Sequence, residues 1–371
     1  MTAPDFDPAA IEAALAPYVA PAIPHGGVLL AVSGGPDSTA LMQAAKQALE
    51  RVGPTIPLHV ATVDHGLRSA SAVEAEGVAT LARDFGLPHR ILAWTGPKPA
   101  HGLQAAARGA RYALLGAHAQ RLGLDWVLTG HTRDDQAETV LMRLLAGSGP
   151  AGLAGMRAVR PLVGRVRLGR PFLDLPKAGL VAYCIAHGLT PIQDASNADP
   201  RFARARLRRL LPDLAQAGLS DARLTRLAAR CARDDAALTE AARAAYVTAH
   251  RPADAPTLVR LDASGLANLP DAVLIRVVAL ALAEAGAGRP RLERIESLVL
   301  DALRPALRDR APLRRTLAGL LVSLTRGRGF TLAPAPARTG GDGAGDRLAA
   351  GVRDLLGKGG GAAYIGSECP D

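Results

Sequence analysis

The chain has 371 residues, of which 49% are hydrophobic and only 3% aromatic, so it can bury a sizeable core built mainly from Leu, Val and Ala. Its three widely spaced cysteines argue against a disulfide framework or metal cluster, and the lack of a signal-peptide pattern or long apolar run predicts a cytoplasmic protein with no membrane partner. The formal charge of +10 is typical of a chain with a polyanionic partner, but also of one that uses charge only for solubility.

Strands alternate with helices through the first part of the chain. Short apolar runs bounded by turn residues predict buried strands, and helical apolar spacing predicts the segments between them. The predicted elements in chain order are a helix at 8–19, a strand at 27–32, a helix at 38–51, a strand at 58–63, a helix at about 71–86, a strand at 89–93, a helix at 103–122, a strand at 125–129 and a helix at about 134–145. This alternation predicts an α/β fold with a doubly wound parallel sheet, whose ligands bind outside the carboxyl ends of the strands.

The rest of the chain is predicted to be less regular at first and then helical. Residues 147–178 are rich in Gly, Pro and Arg and are expected to be loop with short strands. Helical spacing resumes near residue 177 and dominates from residue 216. We therefore predict an α/β domain at 1–215, a smaller and mainly helical domain at 216–331, and a flexible Gly- and Ala-rich tail at 332–371.

A glycine-rich segment joins the first predicted strand directly to a helix. It consists of Ser33, Gly34, Gly35, Pro36, Asp37 and Ser38. The glycines let backbone N–H groups approach an anion closely, and the helix N-terminus adds partial positive charge. Asp37 would repel phosphate unless it held Mg²⁺, and the Gly-Lys-Ser/Thr ending of a Walker A loop is missing. The pattern predicts a phosphate site, with an ordinary strand–helix turn as the alternative.

Polar residues also follow the second and fourth predicted strands. Asp64, His65 and Arg68 lie after the second strand, where adenosine could bind and Arg68 could meet phosphate; a capped turn is the alternative. After the fourth strand, the spacing of His131, Asp135 and Glu138 would place them on one helical face near the loop at 33–38.

This second group of residues has a chemical logic. Clustered carboxylates repel one another unless a cation is present, so Mg²⁺ bound by Asp37 and Asp135 is the expected partner. His131 could then hydrogen-bond the α-phosphate. A solvated helix start with acids favoured by the helix dipole is the alternative, and it leaves His131 unexplained.

A basic block follows in the chain. Five arginines lie within residues 201–209, and Arg204 and Arg208 share a helical face, which suits either a phosphate-binding stripe or a solvated basic helix. Nearly all the basic residues of the chain are arginine, since lysine occurs only at positions 46, 98, 177 and 358.

Together these segments resemble the tRNA(Ile)-lysidine synthetase family of the PP-loop, or N-type ATP pyrophosphatase, superfamily. The matching segments are 33–38, 63–68, 104–112, 130–149, 152–156, 170–173 and 194–208. The first marks only the superfamily, whereas the tyrosine-containing segment 104–112 and the blocks at 130–149 and 194–208 are far more specific. The similarity is good from about residue 25 to 212 and weaker to about 325; Ala205 stands where many members have Asn.

The resemblance implies an adenine nucleotide α-hydrolase-like fold and a ligase that uses ATP and Mg²⁺. ATP would adenylate the C2 oxygen of cytidine 34 in the CAU anticodon of tRNA(Ile), and free L-lysine would then displace AMP to give lysidine. Pyrophosphate would be the other product. The sequence does not determine the oligomeric state, and a homodimer is compatible with it.

The resemblance also implies roles by motif position. The implied catalytic residues are Asp37, His131, Asp135, Glu138 and Arg204, with Asp37 and Asp135 as metal ligands. The implied nucleotide-binding residues are those of the loop at 33–38 together with Asp64, His65, Arg68, Arg111 and Gly130.

Three alternatives remain open. A tRNA cytidine thiolase needs paired cysteines for its cluster, which Cys184, Cys231 and Cys369 do not supply. Amide-forming relatives, such as guanylate and NAD synthetases, lack the basic Asp-x-Ser-Asn block. A non-catalytic relative that only binds tRNA or nucleotide is opposed by the intact acids and histidine of the predicted site.

Overall fold

The computed structural model describes most of the chain in segments. The described residues are 7–19, 26–52, 56–67, 71–96, 98–99, 101–192, 203–252, 255, 258–288, 290–326 and 329–336. They form two compact units, one reaching to Ala232 and the other starting at Arg233. This division lies later in the chain than the predicted boundary between residues 215 and 216. The predicted tail lies outside the described residues from residue 337 onward, as does the block at 193–202.

The first unit is built from ten helices and six strands in its described part. The helices are α1 (Pro8–Ala13), α2 (Ala16–Val19), α3 (Pro36–Val52), α4 (Ser71–Asp84), α5 (Leu103–Arg121), α6 (Arg133–Leu145), α7 (Pro150–Leu153), α8 (Lys177–Ala186), α9 (Ala203–Gln216) and α10 (Asp221–Ala249), the last of which continues past Ala232. The strands are β1 (Val28–Ala31), β2 (Leu58–Asp64), β3 (His89–Ala93), β4 (Trp126–Thr129), β5 (Val159–Val163) and β6 (Val166–Gly169).

The six strands form one sheet in the order β3-β2-β1-β4-β6-β5, and only the β5–β6 pair is antiparallel. The predicted doubly wound fold is therefore confirmed. The strand order reverses between β1 and β4. From β1 the chain adds β2 and then β3 on one side of β1, and it then crosses over to form β4 on the other side. Such a switch point leaves a crevice at the carboxyl ends of the two central strands.

The central strand is buried on both faces because its residues alternate between two cores. Leu29 packs in the cluster that contains Leu115 of α5, whereas Leu30 packs in the cluster that contains Leu41 of α3 and Leu180 of α8. Its short, continuously apolar sequence is typical of a parallel strand covered by helices on both sides. The loop that follows β1 is thus anchored to a strand that is buried on both faces.

The N-terminal helix differs from the sequence prediction. The helix predicted at 8–19 is interrupted after Ala13, because Pro17 has no N–H to donate to the carbonyl of Ala13. The region at 147–178, which was expected to be loop with short strands, contributes the short strands β5 and β6, and β6 extends the main sheet by pairing parallel with β4.

The second unit contains the predicted helices and also an antiparallel sheet that the sequence analysis did not predict. Its helices are α11 (Ala263–Ala267), α12 (Asp271–Glu284), α13 (Leu292–Ser297) and α14 (Arg304–Asp309), with a π-helical segment at Leu298–Leu303. Its strands are β7 (His250–Arg251), β8 (Val259–Leu261), β9 (Leu313–Leu317), β10 (Leu320–Thr325) and β11 (Gly329–Pro334), in the order β7-β8-β11-β10-β9. Within the described ranges, no helix has the length and apolar character needed to cross a membrane.

Candidate active site at the switch point

The loop between β1 and α3 is closed by its own hydrogen bonds. The backbone N–H of Ser33 donates to Oγ of Ser38 at 3.1 Å, and that hydroxyl donates to the carbonyl of Gly35 at 3.0 Å. Gly34 has a φ of +87°, and a Cβ there would lie 2.7 Å from Cδ1 of Ile192. The glycine is therefore required both by its backbone conformation and by a side chain behind the loop.

The hydroxyl of Ser38 has a structural role in this arrangement. The resemblance implied that Ser38 binds nucleotide as part of the loop at 33–38, but the proton of its hydroxyl is directed to the carbonyl of Gly35. Pro36 opens α3, where a missing N–H costs no helical hydrogen bond. The start of α3 lies just after the carboxyl end of β1, and a helix N-terminus in that position is the usual geometry of an anion site.

The end of β4 touches the start of α3 through a glycine. A Cβ on Gly130 would lie 2.6 Å from the carbonyl oxygen of Asp37 and 3.1 Å from the backbone nitrogen of Ser38. No side chain can occupy that space without displacing the phosphate loop. The two central strands thus place the segments 33–38 and 130–135 side by side.

Helix α6 begins at Arg133, two residues after His131, so the i, i+4 argument for His131 does not hold. Thr132 is the N-cap, and it forms a capping box with Asp135, whose Oδ2 accepts from the N–H of Thr132 at 2.9 Å. His131 therefore precedes the helix instead of sharing its face with Asp135 and Glu138. The cap fixes Asp135 at the mouth of the crevice, because its carboxylate completes the first turn.

A cluster of three carboxylates and one ammonium group lies in front of the loop. Nζ of Lys177 is 3.0 Å from Oδ2 of Asp37, and the backbone N–H of Lys177 donates to Oδ2 of Asp134 at 2.8 Å. Burial raises the pKa of Asp37; Lys177 opposes that shift, and the charges of Asp135 and Asp134 add to it. The other oxygen of Asp37, Oδ1, is buried and has no hydrogen-bond partner among the described residues.

Asp135 keeps its charge in this cluster. Burial alone would raise its pKa, but the charge that His131 carries when protonated, the hydrogen bonds from Thr132 and the charge of Lys177 together lower it. An ionised Asp135 beside Asp37 favours a cation between them.

His131 sits on the positive side of the crevice. Its Nδ1 is 2.8 Å from Oγ1 of Thr129, the last residue of β4. Burial, followed by the charges of Arg170, Arg108 and Arg111, lowers the pKa of His131, and Asp135 opposes the shift only in part. The imidazole is neutral near pH 7 and therefore acts through hydrogen bonds, while the arginines supply the positive charge.

One predicted site residue, Glu138, is paired with α9, and another, Arg204, is part of that helix. Glu138, only 2% exposed, forms an ion pair with Arg208 through both carboxylate oxygens, while Arg204 donates to Oγ1 of Thr139 at 3.4 Å. Burial raises the pKa of Glu138, and Arg208 opposes this. The charge of Arg208 also interacts with Asp135 and Asp37, so α9 extends the site toward the carboxylate cluster.

The residues after β2 form a second group. Oδ1 of Asp64 accepts from the N–H of Gly66 and the hydroxyl of Ser71, which is the capped turn that the sequence analysis kept as an alternative. Nε2 of His65 is 3.4 Å from Nη2 of Arg111, and Nδ1 of His65 is buried without a partner among the described residues. Arg68 lies outside the described residues.

The burial of His65 predicts a measurable pH effect. Burial and the charge of Arg111 lower the pKa of His65 from 6.5 to about 4, so the unfolded chain takes up a proton at this residue before the folded one does. Stability is therefore lost as the pH falls from 6.5 towards 4, by up to about 1.4 kcal/mol per pH unit from this residue.

We expect His65→Gln to flatten the dependence of the unfolding free energy on pH in that window, as measured by urea denaturation. His101→Gln, at an exposed position, is the control. An unchanged slope in the His65 variant would contradict this explanation.

Three residues at the site were not predicted from the sequence. Lys177 pairs with Asp37, Arg208 pairs with Glu138, and Arg170 is 2% exposed beside His131. Arg208 was noted on the same helical face as Arg204, and that periodicity could have identified it. Lysine is scarce in this chain, and that scarcity was the sequence signal that could have marked Lys177 as a candidate site residue.

The carboxylates at the site can be compared with the ligands that Mg²⁺ usually takes in proteins. Over the part of the chain that the structure describes, no three His, Cys, Asp or Glu side chains are grouped closely enough to hold a metal by themselves. Mg²⁺ commonly uses one or two carboxylates and completes its shell with water and substrate phosphates. Asp37, with its orphaned buried oxygen, and Asp135 fit that pattern.

Comparison with known proteins agrees with this fold. A family model described as a PP-loop domain matches residues 9–214, which is more than half of the chain. The U34-tRNA thiolase NcsA from Methanococcus maripaludis, a solved structure with a [4Fe-4S] cluster, has a TM-score of 0.50 and 15% identity over 59% of this chain and 77% of that one. This similarity supports the fold alone.

Curated relatives identify the family. A tRNA(Ile)-lysidine synthase from Methylobacterium nodulans is 57% identical over 85% of this chain and 92% of the relative. Others from Methylobacterium sp. (strain 4-46) and Rhodopseudomonas palustris are 54% and 47% identical over 90% and 84% of this chain, and over 96% and 92% of their own lengths. The predicted resemblance is confirmed: the chain belongs to the tRNA(Ile)-lysidine synthase family and carries a PP-loop ATP-binding domain.

Proposed function

We propose that the chain catalyses the reaction of its family, the ATP-dependent ligation of L-lysine to C2 of cytidine 34 in the CAU anticodon of tRNA(Ile). The products are lysidine, AMP and pyrophosphate. The observation that carries this proposal is the pairing, at the β1/β4 switch point, of a phosphate loop with a carboxylate cluster on one side and a neutral histidine among arginines on the other.

The first step is adenylation. The C2 oxygen attacks the α-phosphorus of ATP, the bond from that phosphorus to the bridging oxygen breaks, and pyrophosphate leaves. The amide-like C2 oxygen is a poor leaving group until it is adenylated. Backbone N–H groups of the loop at 33–38 and the arginines near His131 would stabilise the negative charge that develops on the phosphates.

Asp37 and Asp135 would hold Mg²⁺ through Oδ1 of Asp37 and a carboxylate oxygen of Asp135. Bound there, the metal supplies Lewis-acid stabilisation of the phosphate oxygens. Asp37 lies in the first turn of α3, so its carboxylate is fixed beside the anion site. The capping box fixes Asp135 in the same way.

The second step transfers lysine. The neutral ε-amine attacks C2, the bond from C2 to the adenylated oxygen breaks, and AMP leaves with that oxygen. The amine must give up a proton, and the carboxylates of Asp135 and Glu138 on α6 are the candidate acceptors. Arg204 and Arg208 bring further positive charge from α9 for the phosphates of ATP or tRNA.

The proposed setting is the cytoplasm, where tRNA and ATP are available together. A homodimer stays a prediction, which light scattering of the purified protein would test.

The reaction is tested by incubating the protein with ATP, lysine and a tRNA(Ile) transcript. We expect pyrophosphate release and a lysine-sized mass increase on cytidine 34, and neither when uridine replaces that cytidine. A sulfur-sized increase or a modified base elsewhere would show another PP-loop activity. Tight tRNA binding with no pyrophosphate would show a non-catalytic relative.

A further inference from the structure

The backbone of Lys177 is held at the site independently of its side chain. Lys177 is the first residue of α8, and its N–H donates to the carboxylate of Asp134 in the first turn of α6. The adjacent N–H of Arg133 donates to the carbonyl of Leu175 at 2.9 Å. The start of α8 is therefore pinned to the start of α6, and the lysine side chain extends from a fixed point.

The ammonium group at the end of that side chain is the counter-ion of a carboxylate in the phosphate-binding turn. Its ion pair with Asp37 lies directly beside the N-terminus of α3, and its charge also acts on Asp135. The side chain is 42% exposed, so the ammonium can leave this position without unpacking a core. The pairing satisfies only Oδ2 of Asp37, since Oδ1 stays buried without a partner among the described residues.

The choice of lysine here is informative. The chain has 44 basic residues and only four are lysine, so arginine is used at nearly every position where positive charge is sufficient. Lysine differs from arginine in being a compact point charge on a flexible stem, with three rotatable donors. Such a group can exchange one oxyanion partner for another, whereas a planar guanidinium is better suited to one fixed bidentate geometry.

We propose that Lys177 is an exchangeable counter-ion of the active site: its ammonium neutralises Asp37 in the nucleotide-free protein and binds the β- and γ-phosphates once MgATP has entered. This inference rests on the proposed function, because it assigns a ligand to the pyrophosphate that the reaction releases. A divalent cation on Asp37 displaces the ammonium, which then has the phosphates as its nearest anions. Lys177 would thus stay paired with the β- and γ-phosphates while negative charge develops on the leaving pyrophosphate.

The two halves of this proposal predict opposite effects of one substitution. In Lys177→Met the carboxylates lose a competing cation, so the nucleotide-free protein should bind Mn²⁺ several-fold more tightly, measured by electron paramagnetic resonance. The same variant should bind Mg²⁺–pyrophosphate about 10- to 100-fold more weakly, measured by calorimetry, because a charge-assisted contact to phosphate is lost. Lys177→Arg should fall between Met and the wild type in both measurements.

Lys46→Met is the matched control, since Lys46 lies on α3 and pairs with the exposed Glu50 of the same helix. It should leave both affinities unchanged. A Lys177→Met variant that binds Mn²⁺ no more tightly than the wild type, or Mg²⁺–pyrophosphate equally well, overturns the proposal. A purely structural role would weaken both affinities together.

Both measurements use the full chain without tRNA or lysine. Failure of the ligase reaction would therefore not be mistaken for failure of this inference. If the wild type binds Mg²⁺–pyrophosphate and the Met variant binds it equally well, only the role of Lys177 is rejected.

Discussion

Asp37→Asn should reduce pyrophosphate release by about 10³-fold or more while leaving the protein folded. The substitution keeps the size of the side chain but removes the charge that the carboxylate cluster contributes to the cation. Oδ1 of Asp37, buried without a partner among the described residues, is the atom that the cation would satisfy. Initial rates with ATP, lysine and tRNA(Ile), measured by a coupled pyrophosphate assay, give the comparison.

The stability of that variant is a separate expectation. Burial raises the pKa of Asp37, so the fold disfavours its ionised form. The charge of Lys177 offsets this cost only in part. Asparagine removes this cost, and the thermal midpoint should not fall. Glu50→Gln, an exposed position on the same helix, is the control and should retain full activity. Wild-type rates of pyrophosphate release in the Asp37 variant would rule out its proposed role.

The substitution Gly130→Ala should also disable the site, but by displacing the backbone of the phosphate loop and not by removing a charge. The added methyl group would lie 2.6 Å from the carbonyl oxygen of Asp37 and 2.8 Å from its carbonyl carbon, so the backbone of the phosphate loop must move. Overpacking of this kind costs about 1–3 kcal/mol of stability. A displacement of about 1 Å in catalytic geometry can cost roughly 10²-fold in rate, so we expect a loss of activity of at least that size.

Gly109→Ala is the matched control for that substitution. Gly109 lies within α5, and a Cβ there would meet nothing within 4 Å. Alanine in an exposed helix interior should raise stability by about 0.5–1 kcal/mol and leave pyrophosphate release unchanged. Denaturant unfolding and initial rates measured on both variants separate the two effects. Full activity in Gly130→Ala would show that the loop tolerates the shift, and that the close contact is not functional.

Much of the first unit could be predicted because its signals are local. The apolar run of β1, the glycines after it and the helical spacing of α3 specify a strand, a phosphate loop and a helix without tertiary information. The adjacency of Gly130 and Asp37 then follows from the order of a doubly wound sheet. Polar residues after neighbouring parallel strands meet at one edge.

Other features depend on contacts that local patterns do not encode. β6 joins the sheet through pairing with β4, although its sequence is only four residues long and lies in a Gly- and Arg-rich region. The antiparallel sheet of the second unit is built from strands of two to six residues. The sequence signal that could have predicted a strand here is the apolar residue at every second position of β10, at Leu320, Val322 and Leu324, which are the buried positions of that strand.

The chemistry of individual site residues was also set by tertiary neighbours. His131 was expected on the face of a helix, but Thr132 caps that helix and leaves His131 before it. Glu138 was grouped with the metal-binding acids by spacing, whereas its carboxylate is paired with Arg208, 70 positions away in the chain. Lys177 reaches Asp37 across 140 positions, which no local pattern predicts.

The central claim is that ATP activates the C2 oxygen of cytidine 34, and an isotope label tests it most directly. A tRNA(Ile) transcript carrying ¹⁸O at C2 of that cytidine is converted with ATP and lysine, and the released AMP is analysed by mass spectrometry. Because the bond from C2 to oxygen breaks when lysine attacks, the label should be found in the phosphate of AMP, in proportion to the lysidine formed. Unlabelled AMP from a reaction that forms lysidine would contradict adenylation of the base.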